Sequence, residues 1–184
     1  MGIELISSRR KVQLLNVYLP YNCDDNIDEY KYYIAKIDSI ITGYASPYIY
    51  VIGDFNAHVS SDSPPNRHKF GSELQSFCED ENYILSDVEY LKNITGDVFT
   101  YVSDAHTTVS WLDHVMTTFN GHSLIKTVSI DYSFVTSDHR PLSVDIDFNK
   151  IITEYCSDNK GCFVNGRVKW DEMINREVYW ALSL

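Results

Sequence analysis

The sequence predicts a mixed α/β fold in which layers of sheet are covered by a few helices. The run 48–52 is almost wholly apolar and has the length of a strand that is buried on both faces. Apolar residues at spacings of three and four across 27–43 predict a helix with one buried face. Apolar and polar residues then alternate, as in half-buried antiparallel strands, over 109–117, 124–131 and 141–147.

The first half of the chain supplies the longest predicted elements. A strand over 11–19 is rich in β-branched and apolar residues and ends before Pro20. The helix over 27–43 follows, and we expect its start to be capped by Asp24, Asp25 and Asn26. A weaker helical pattern covers about 70–81, after a loop with two prolines, and shorter strand-like runs stand at 84–86 and 98–102.

Composition narrows the classes of protein that fit. The length of 184 residues suits one domain, and 15 basic against 26 acidic residues give a net charge of −11. All of that charge lies in the first 148 residues, which argues against nucleic-acid binding driven by charge alone but leaves room for a metal-dependent enzyme. No apolar run reaches membrane-spanning length, and the four cysteines form no paired motif, so we expect an intracellular protein of the nucleus or cytoplasm.

The segment from Gly53 to His58 follows the buried strand, where a sheet presents polar groups to a site. Gly53 allows a tight turn there. Asp54 and Asn56 stand two apart and share one face of an extended chain. A carboxylate can activate a water and an amide can bond a phosphate oxygen. The alternative is a structural turn in which both side chains bond the local backbone.

Two later segments also carry polar groups in strand settings. Asp113 lies between apolar neighbours in a predicted strand and therefore requires a partner. Asp138 and His139 are adjacent at the entry to the last strand, so they point to opposite sides of an extended chain. That arrangement suits one metal ligand and one acid–base group. The alternative for His139 is an ordinary surface histidine.

Taken in order, Gly-Asp-Phe-Asn at 53–56, Leu-Asp-His at 112–114 and Ser-Asp-His at 137–139 resemble the motifs of the endonuclease/exonuclease/phosphatase superfamily, whose members are DNase I-like. The resemblance is closest to the endonuclease domains of LINE-type non-LTR retrotransposons. Leu-Asn-Val-Tyr-Leu-Pro at 15–20 and Phe-Thr-Tyr at 99–101 support it. The resemblance covers about residues 2–148 and implies a four-layer α/β sandwich of two packed sheets.

The resemblance implies roles for five catalytic residues. Tyr18 is expected to bond a phosphate oxygen. Asp54 is expected to position or activate the attacking water, with Asn56 as its phosphate-binding partner. His139 is expected to lie at the scissile phosphate and to be supported by Asp113.

The resemblance also implies a cofactor and a substrate. Asp138 is expected to ligate Mg²⁺, with Mn²⁺ as an alternative, and Thr100 to make a minor substrate contact. The implied reaction is metal-assisted hydrolysis of a phosphodiester, of the DNA-nicking type. DNA is the expected partner, and neither a membrane nor a protein partner is predicted.

The sequence departs from the family pattern in the strands that come first in the family. An N-terminal strand with an asparagine and a second with the main metal-binding glutamate are not recognisable in this sequence. We therefore expect residues 1–148 to be the C-terminal portion of the domain, truncated at its N-terminus and impaired in metal binding. Residues 149–184 are expected to be a polar tail or a connector towards a reverse transcriptase-like region. Two alternatives stay open: a phosphatase of small phosphoesters from the same family, and an inactive fragment of a retrotransposon polyprotein.

Overall fold

The computed structural model describes residues 2–7, 10–44, 46–59, 69–94, 96, 98–103 and 108–148. Within these residues the strands are β1 (Gly2–Ser7), β2 (Arg10–Tyr18), β3 (Tyr48–Asp54), β4 (Ile84–Leu85), β5 (Tyr101–Ser103), β6 (Thr108–Ser110), β7 (Asp113–Thr117), β8 (Ile125–Ile130) and β9 (Leu142–Ile146). The helices are α1 (Ile27–Tyr44), α2 (Lys69–Asp80), α3 (Ser86–Leu91) and α4 (Phe119–His122).

The central sheet has five strands in the order β1-β2-β3-β7-β4. β2 and β3 are parallel and are joined through α1, whereas β7 runs antiparallel to β3. The carboxyl ends of β2 and β3 therefore meet the start of β7 at one edge of the sheet. Tyr18 lies opposite Asp54, and Asp54 lies opposite Asp113. This register alone places three predicted site residues side by side.

The two faces of the central sheet are buried against different layers. α1 and α2 cover one face, where the rings of Tyr30 and Phe70 pack with their centroids 4.3 Å apart. The antiparallel pair β8–β9 covers the other face, and its inward residues pack around Trp111 and Tyr50. Burial of side chains on both faces explains why residues 48–52 of β3 are almost wholly apolar.

The α/β class predicted from sequence is confirmed, and the described residues form three of the four expected layers. Ser129, Ser143 and Asp145 are exposed on the outward face of the β8–β9 pair. The described residues therefore place no helical layer over that face. The predicted connector at 149–184 lies outside the described residues. No described helix is both long and apolar enough to span a bilayer.

Most of the longer predicted elements are confirmed. The predicted helices at 27–43 and 70–81 correspond to α1 and α2, and the strands at 11–19 and 48–52 correspond to β2 and β3. β1, α3 and α4 were not predicted. The helices α3 and α4, with six and four residues, are too short to show a periodicity.

Two sequence expectations are wrong in detail. The run 109–117 is not one strand: it breaks at Trp111 and Leu112, so that Asp113 begins β7 rather than lying in its middle. Residues Asp24–Asn26 form a 3-10 turn instead of capping α1, and the turn itself begins after Cys23 without a side-chain cap.

Candidate active site

A pocket of about 450 Å³ opens where the ends of β2 and β3 meet the start of β7. It contains most of the residues singled out from sequence together with several that were not. Its lining consists of Tyr18, Tyr21, Asn22, Asp54, Asn56, His58, Tyr101, Ser110, Leu112, Asp138 and His139. Neither lysine nor arginine occurs among these lining residues.

Gly53 holds the end of β3 tightly against β2. Its φ is +148°, and a Cβ added there would lie 2.0 Å from the Val17 carbonyl oxygen. A side chain at this position would push the two strands apart. The predicted tight turn is therefore wrong: Gly53 lies within β3, and its lack of a side chain allows Asp54 to emerge at the sheet edge.

Asn56 fixes the carboxylate of Asp54. The Asn56 backbone N–H donates to Asp54 Oδ1 at 2.8 Å, and Asn56 Nδ2 donates to Asp54 Oδ2 at 3.2 Å. The same amide nitrogen donates to the Leu19 carbonyl at 2.9 Å. Both amide hydrogens are thus engaged within the protein. Asn56 therefore orients Asp54 in this structure, whereas the resemblance implied that it would donate to a phosphate.

His139 lies between two carboxylates. Its Nδ1 is 2.8 Å from Asp113 Oδ2, and its Nε2 is 3.9 Å from Asp54 Oδ2. Because an ionised carboxylate only accepts hydrogen bonds, Nδ1 carries a proton and Nε2 faces the pocket. The expected support of His139 by Asp113 is therefore present in the structure.

Strand β5 and the residue before it position both Asp113 and His139. The Thr100 hydroxyl just before it accepts from the backbone N–H groups of Leu112 and Asp113, at 3.0 and 2.9 Å. Tyr101 forms an isolated backbone bridge to His139, and their rings lie 5.1 Å apart. Thr100 is fully buried, so the predicted substrate contact is wrong: it holds the start of β7 instead.

The electrostatics of the pocket raise the pKa of both Asp54 and His139, which favours the protonated form of each group. Burial raises the pKa of Asp54 to about 6, and the nearby Asp113 charge adds to this, while the Asn56 amide and His139 oppose it. The hydrogen bond that His139 Nδ1 donates to Asp113 raises the pKa of His139 above its ordinary value, against the effect of burial. Near neutral pH the pocket thus combines a carboxylate that readily takes a proton with an imidazole that readily keeps one.

Tyr18 and Asp138 lie at the mouth of the pocket. The Tyr18 side chain is 81% exposed, so its hydroxyl is accessible to a substrate. Asp138 is exposed and its Oδ1 accepts from the Ser137 hydroxyl at 3.2 Å. No group of three or more potential metal ligands occurs among the described residues. Asp138 fits the donor chemistry of Mg²⁺ as one carboxylate ligand, which the ion would have to share with substrate phosphate oxygens.

The structure also shows functional candidates that sequence reasoning missed. His58 lines the pocket, and its Nδ1 accepts from the Trp111 backbone N–H at 2.9 Å. Its position two residues after the Gly-Asp-Phe-Asn motif was the available signal. His114 faces away from Asp113, as strand alternation predicts, and forms a buried pair with Asp87. That pairing joins residues 27 apart, so no local pattern announced it.

Solved structures of similar fold include the following three proteins. The 3′ phosphatase NExo from Neisseria, solved with a product DNA hairpin, is 14% identical with a TM-score of 0.58, and the match covers 74% of this chain and 61% of that one. The catalytic domain of Xenopus laevis APE2 is 14% identical with a TM-score of 0.59, and the match covers 79% of this chain and 54% of that one. The endonuclease domain of TRAS1, a telomere-specific non-LTR retrotransposon, is 19% identical with a TM-score of 0.55, and the match covers 78% of this chain and 60% of that one.

At identities of 14–19%, these structures show only that the fold is shared. Residues 12–143 also match the family model described as endonuclease-reverse transcriptase, and the chain belongs to that family. The chain spans 54–61% of the length of the three solved structures. No match to a curated protein was found.

Proposed function

We propose that this chain is the C-terminal portion of a DNA-nicking endonuclease domain that hydrolyses phosphodiester bonds. The observation that carries the proposal is the row formed by Asp113, His139 and Asp54 at the edge of the central sheet. Family membership and the three nuclease-type structures support the same reaction class.

The row supplies the two proton functions that hydrolysis requires. Asp54 has a pKa of about 6, so near neutral pH its carboxylate accepts a proton from a water that attacks phosphorus. His139 in its charged form presents Nε2–H to a phosphoryl oxygen and stabilises the negative charge that develops there. The 3.9 Å separation of Nε2 and Asp54 Oδ2 exceeds a hydrogen bond, which leaves room for a substrate or water oxygen near both groups.

The remaining residues orient these two groups or the substrate. Asp113 holds Nδ1 and thereby fixes the ring and its tautomer. Asn56 holds both oxygens of Asp54. The exposure of Tyr18 supports the proposal that its hydroxyl donates to a non-bridging phosphate oxygen.

The proposal includes Mg²⁺, with Mn²⁺ as an alternative, held by Asp138 and by substrate phosphate oxygens. The bound ion would act as a Lewis acid that offsets the charge of the phosphate and of the surrounding carboxylates. A single carboxylate gives weak affinity, so we expect low activity and a requirement for a high Mg²⁺ concentration. The net charge of −11 favours the alternative of a small-phosphoester phosphatase, because a small ligand needs less basic surface than DNA does. The lack of basic side chains in the described pocket lining counts against that alternative.

The experiment is nicking of supercoiled plasmid with Mg²⁺, with and without EDTA, by the wild type and by His139→Ala. His122→Ala is the matched control, because this histidine lies outside the pocket and bonds Ser86. We expect EDTA-sensitive nicking that His122→Ala retains and His139→Ala loses by about 100-fold or more. Release of inorganic phosphate from a 3′-phosphorylated end without nicking would favour the phosphatase. A folded wild type that does neither would leave an inactive fragment.

A further inference from the structure

A second histidine–carboxylate pair is buried behind the pocket. His114 and Asp87 have fully buried side chains, and His114 Nδ1 lies 2.7 Å from Asp87 Oδ2. The other Asp87 oxygen accepts from the Val115 backbone N–H at 2.8 Å. On the far side of the ring, His114 Nε2 lies 2.8 Å from the carbonyl oxygen of Ala57. The proposed chemistry does not involve His114 or Asp87.

The contacts determine which atom of the ring donates. A carbonyl oxygen only accepts, so His114 Nε2 must carry a proton. This holds whether the shared proton between the ring and Asp87 lies on Nδ1 or on Oδ2. The Asp87 carboxylate favours the charged ring and raises the pKa of His114, while burial opposes this. In both protonation states the hydrogen bond from Nε2 to Ala57 is kept.

That hydrogen bond fixes the C-terminal end of the short backbone segment Asp54–Ala57, which we call the catalytic arc because it carries Asp54 and Asn56. The near end is held by two strand-like bonds: Leu19 N–H donates to the Asp54 carbonyl, and Phe55 N–H donates to the Leu112 carbonyl. Between the two ends, Asn56 has a φ of +49°, in the left-handed region that side chains disfavour. Such a conformation persists only where the surroundings hold it.

We propose that His114, oriented by Asp87, is a positioning residue for the catalytic arc Asp54–Ala57. By fixing the Ala57 carbonyl it keeps Asn56 in the left-handed conformation from which the Asn56 amide groups hold the Asp54 carboxylate. The conformational part of this proposal stands on the contacts alone, and its catalytic consequence rests on the proposed function.

Two polar, uncharged replacements of His114 separate its two contacts. In His114→Asn the amide lies at the distance of Nδ1, so it keeps a bond to Asp87 but cannot reach Ala57. In His114→Gln the longer side chain places its amide nitrogen near the position of Nε2, so it keeps the bond to Ala57. His122→Asn is the matched control, because this histidine also bonds a residue of α3 but has no contact with the arc.

The first readout is amide hydrogen exchange at Asn56, whose N–H is held by Asp54 Oδ1. We expect exchange in His114→Asn to be faster by about tenfold, as loss of one hydrogen bond implies, with a smaller change in His114→Gln and none in His122→Asn. The Phe55 amide reports on the near end and should change little. Equal effects of the two His114 variants, or acceleration throughout the core, would overturn the proposal.

The wild type provides a test that depends on no variant. Nitrogen-15 NMR of the imidazole should show His114 Nε2 protonated from pH 6 to 8, with coupling across the hydrogen bond to the Ala57 carbonyl carbon. A deprotonated Nε2 in this pH range would overturn the proposal even if both variants failed to fold.

The second readout is the rate of plasmid nicking. We expect kcat of His114→Asn to fall by about tenfold with KM nearly unchanged, and His114→Gln to recover part of the loss. A faster-exchanging Asn56 with an unchanged kcat would refute the catalytic consequence. Absence of nicking by the wild type would count against the proposed function, and the exchange and NMR results would still decide the conformational proposal.

Discussion

Replacing Asp54 with asparagine is expected to stabilise the fold at alkaline pH while abolishing hydrolysis. The Asp54 side chain is only 11% exposed, and burial is the main cause that raises its pKa from 3.8 to about 6. A raised carboxyl pKa means that the folded state favours the protonated form. Its destabilising effect is therefore absent well below pH 3.8, grows as pH rises from 3.8 to about 6, and is complete above that.

The size of the effect follows from the shift. About two pKa units correspond to roughly 3 kcal/mol at pH 8. Asparagine removes the charge but replaces the acceptor that faces Asn56 Nδ2 by a second donor, which costs about 1 kcal/mol. Asp54→Asn should thus raise the free energy of unfolding by about 2 kcal/mol at pH 8. At pH 5 the penalty of the wild type falls to roughly 1.5 kcal/mol, so the gain shrinks to about 0.5 kcal/mol.

Urea unfolding at pH 8 and pH 5 in the presence of EDTA measures these values. Asp131→Asn is the control, because Asp131 is exposed and its Ser133 hydrogen bonds lower its pKa, so no stabilisation is expected. An Asp54→Asn variant no more stable than the wild type at pH 8 would refute the reasoning that burial of this carboxylate raises its pKa. A gain of the same size at both pH values would refute it as well.

Two further predictions test the arrangement of the site. Thr100→Val should destabilise the fold by about 2 kcal/mol in urea unfolding, because two partly buried backbone N–H groups lose their acceptor. The exposed control Thr127→Val should change little, and equal effects would contradict the role assigned to Thr100. The initial nicking rate should rise with pH through about 6 as Asp54 loses its proton, and a rate that stays flat between pH 5 and 7 would show that Asp54 is not the base.

The residues that carry the chemistry were predictable where they follow regular strands. Asp54 comes after an apolar run whose identity as a strand was plain, and β2 and β3 are parallel, so Tyr18 and Asp54 had to lie at the same edge. Asp113 was predicted to need a partner, and the structure provides His139. Local pattern singled out Asp54, because it follows a buried strand, and Asp113, because it lies between apolar neighbours, whereas Tyr18 was singled out only by the resemblance.

The supporting residues could not be predicted in the same way. Thr100, Asp87 and His114 act through hydrogen bonds between elements that are distant in sequence. Their side chains carry no periodicity, and each was compatible with an exposed or an ordinary buried position. Thr100 was assigned to the substrate by resemblance, yet its hydroxyl is engaged by the backbone at the start of β7.

The charges around the pocket explain why such a site should depend on a cation. A phosphate that enters meets the carboxylates of Asp54 and Asp138, with Asp113 behind His139, and no lysine or arginine among the described lining residues. Protonation of His139 supplies one positive charge, which its hydrogen bond to Asp113 favours. This single charge cannot offset three carboxylates, and the net charge of −11 adds a long-range repulsion. Phosphate affinity should therefore rise steeply with Mg²⁺ concentration, because a bound cation would offset the carboxylate charge that the single imidazolium leaves.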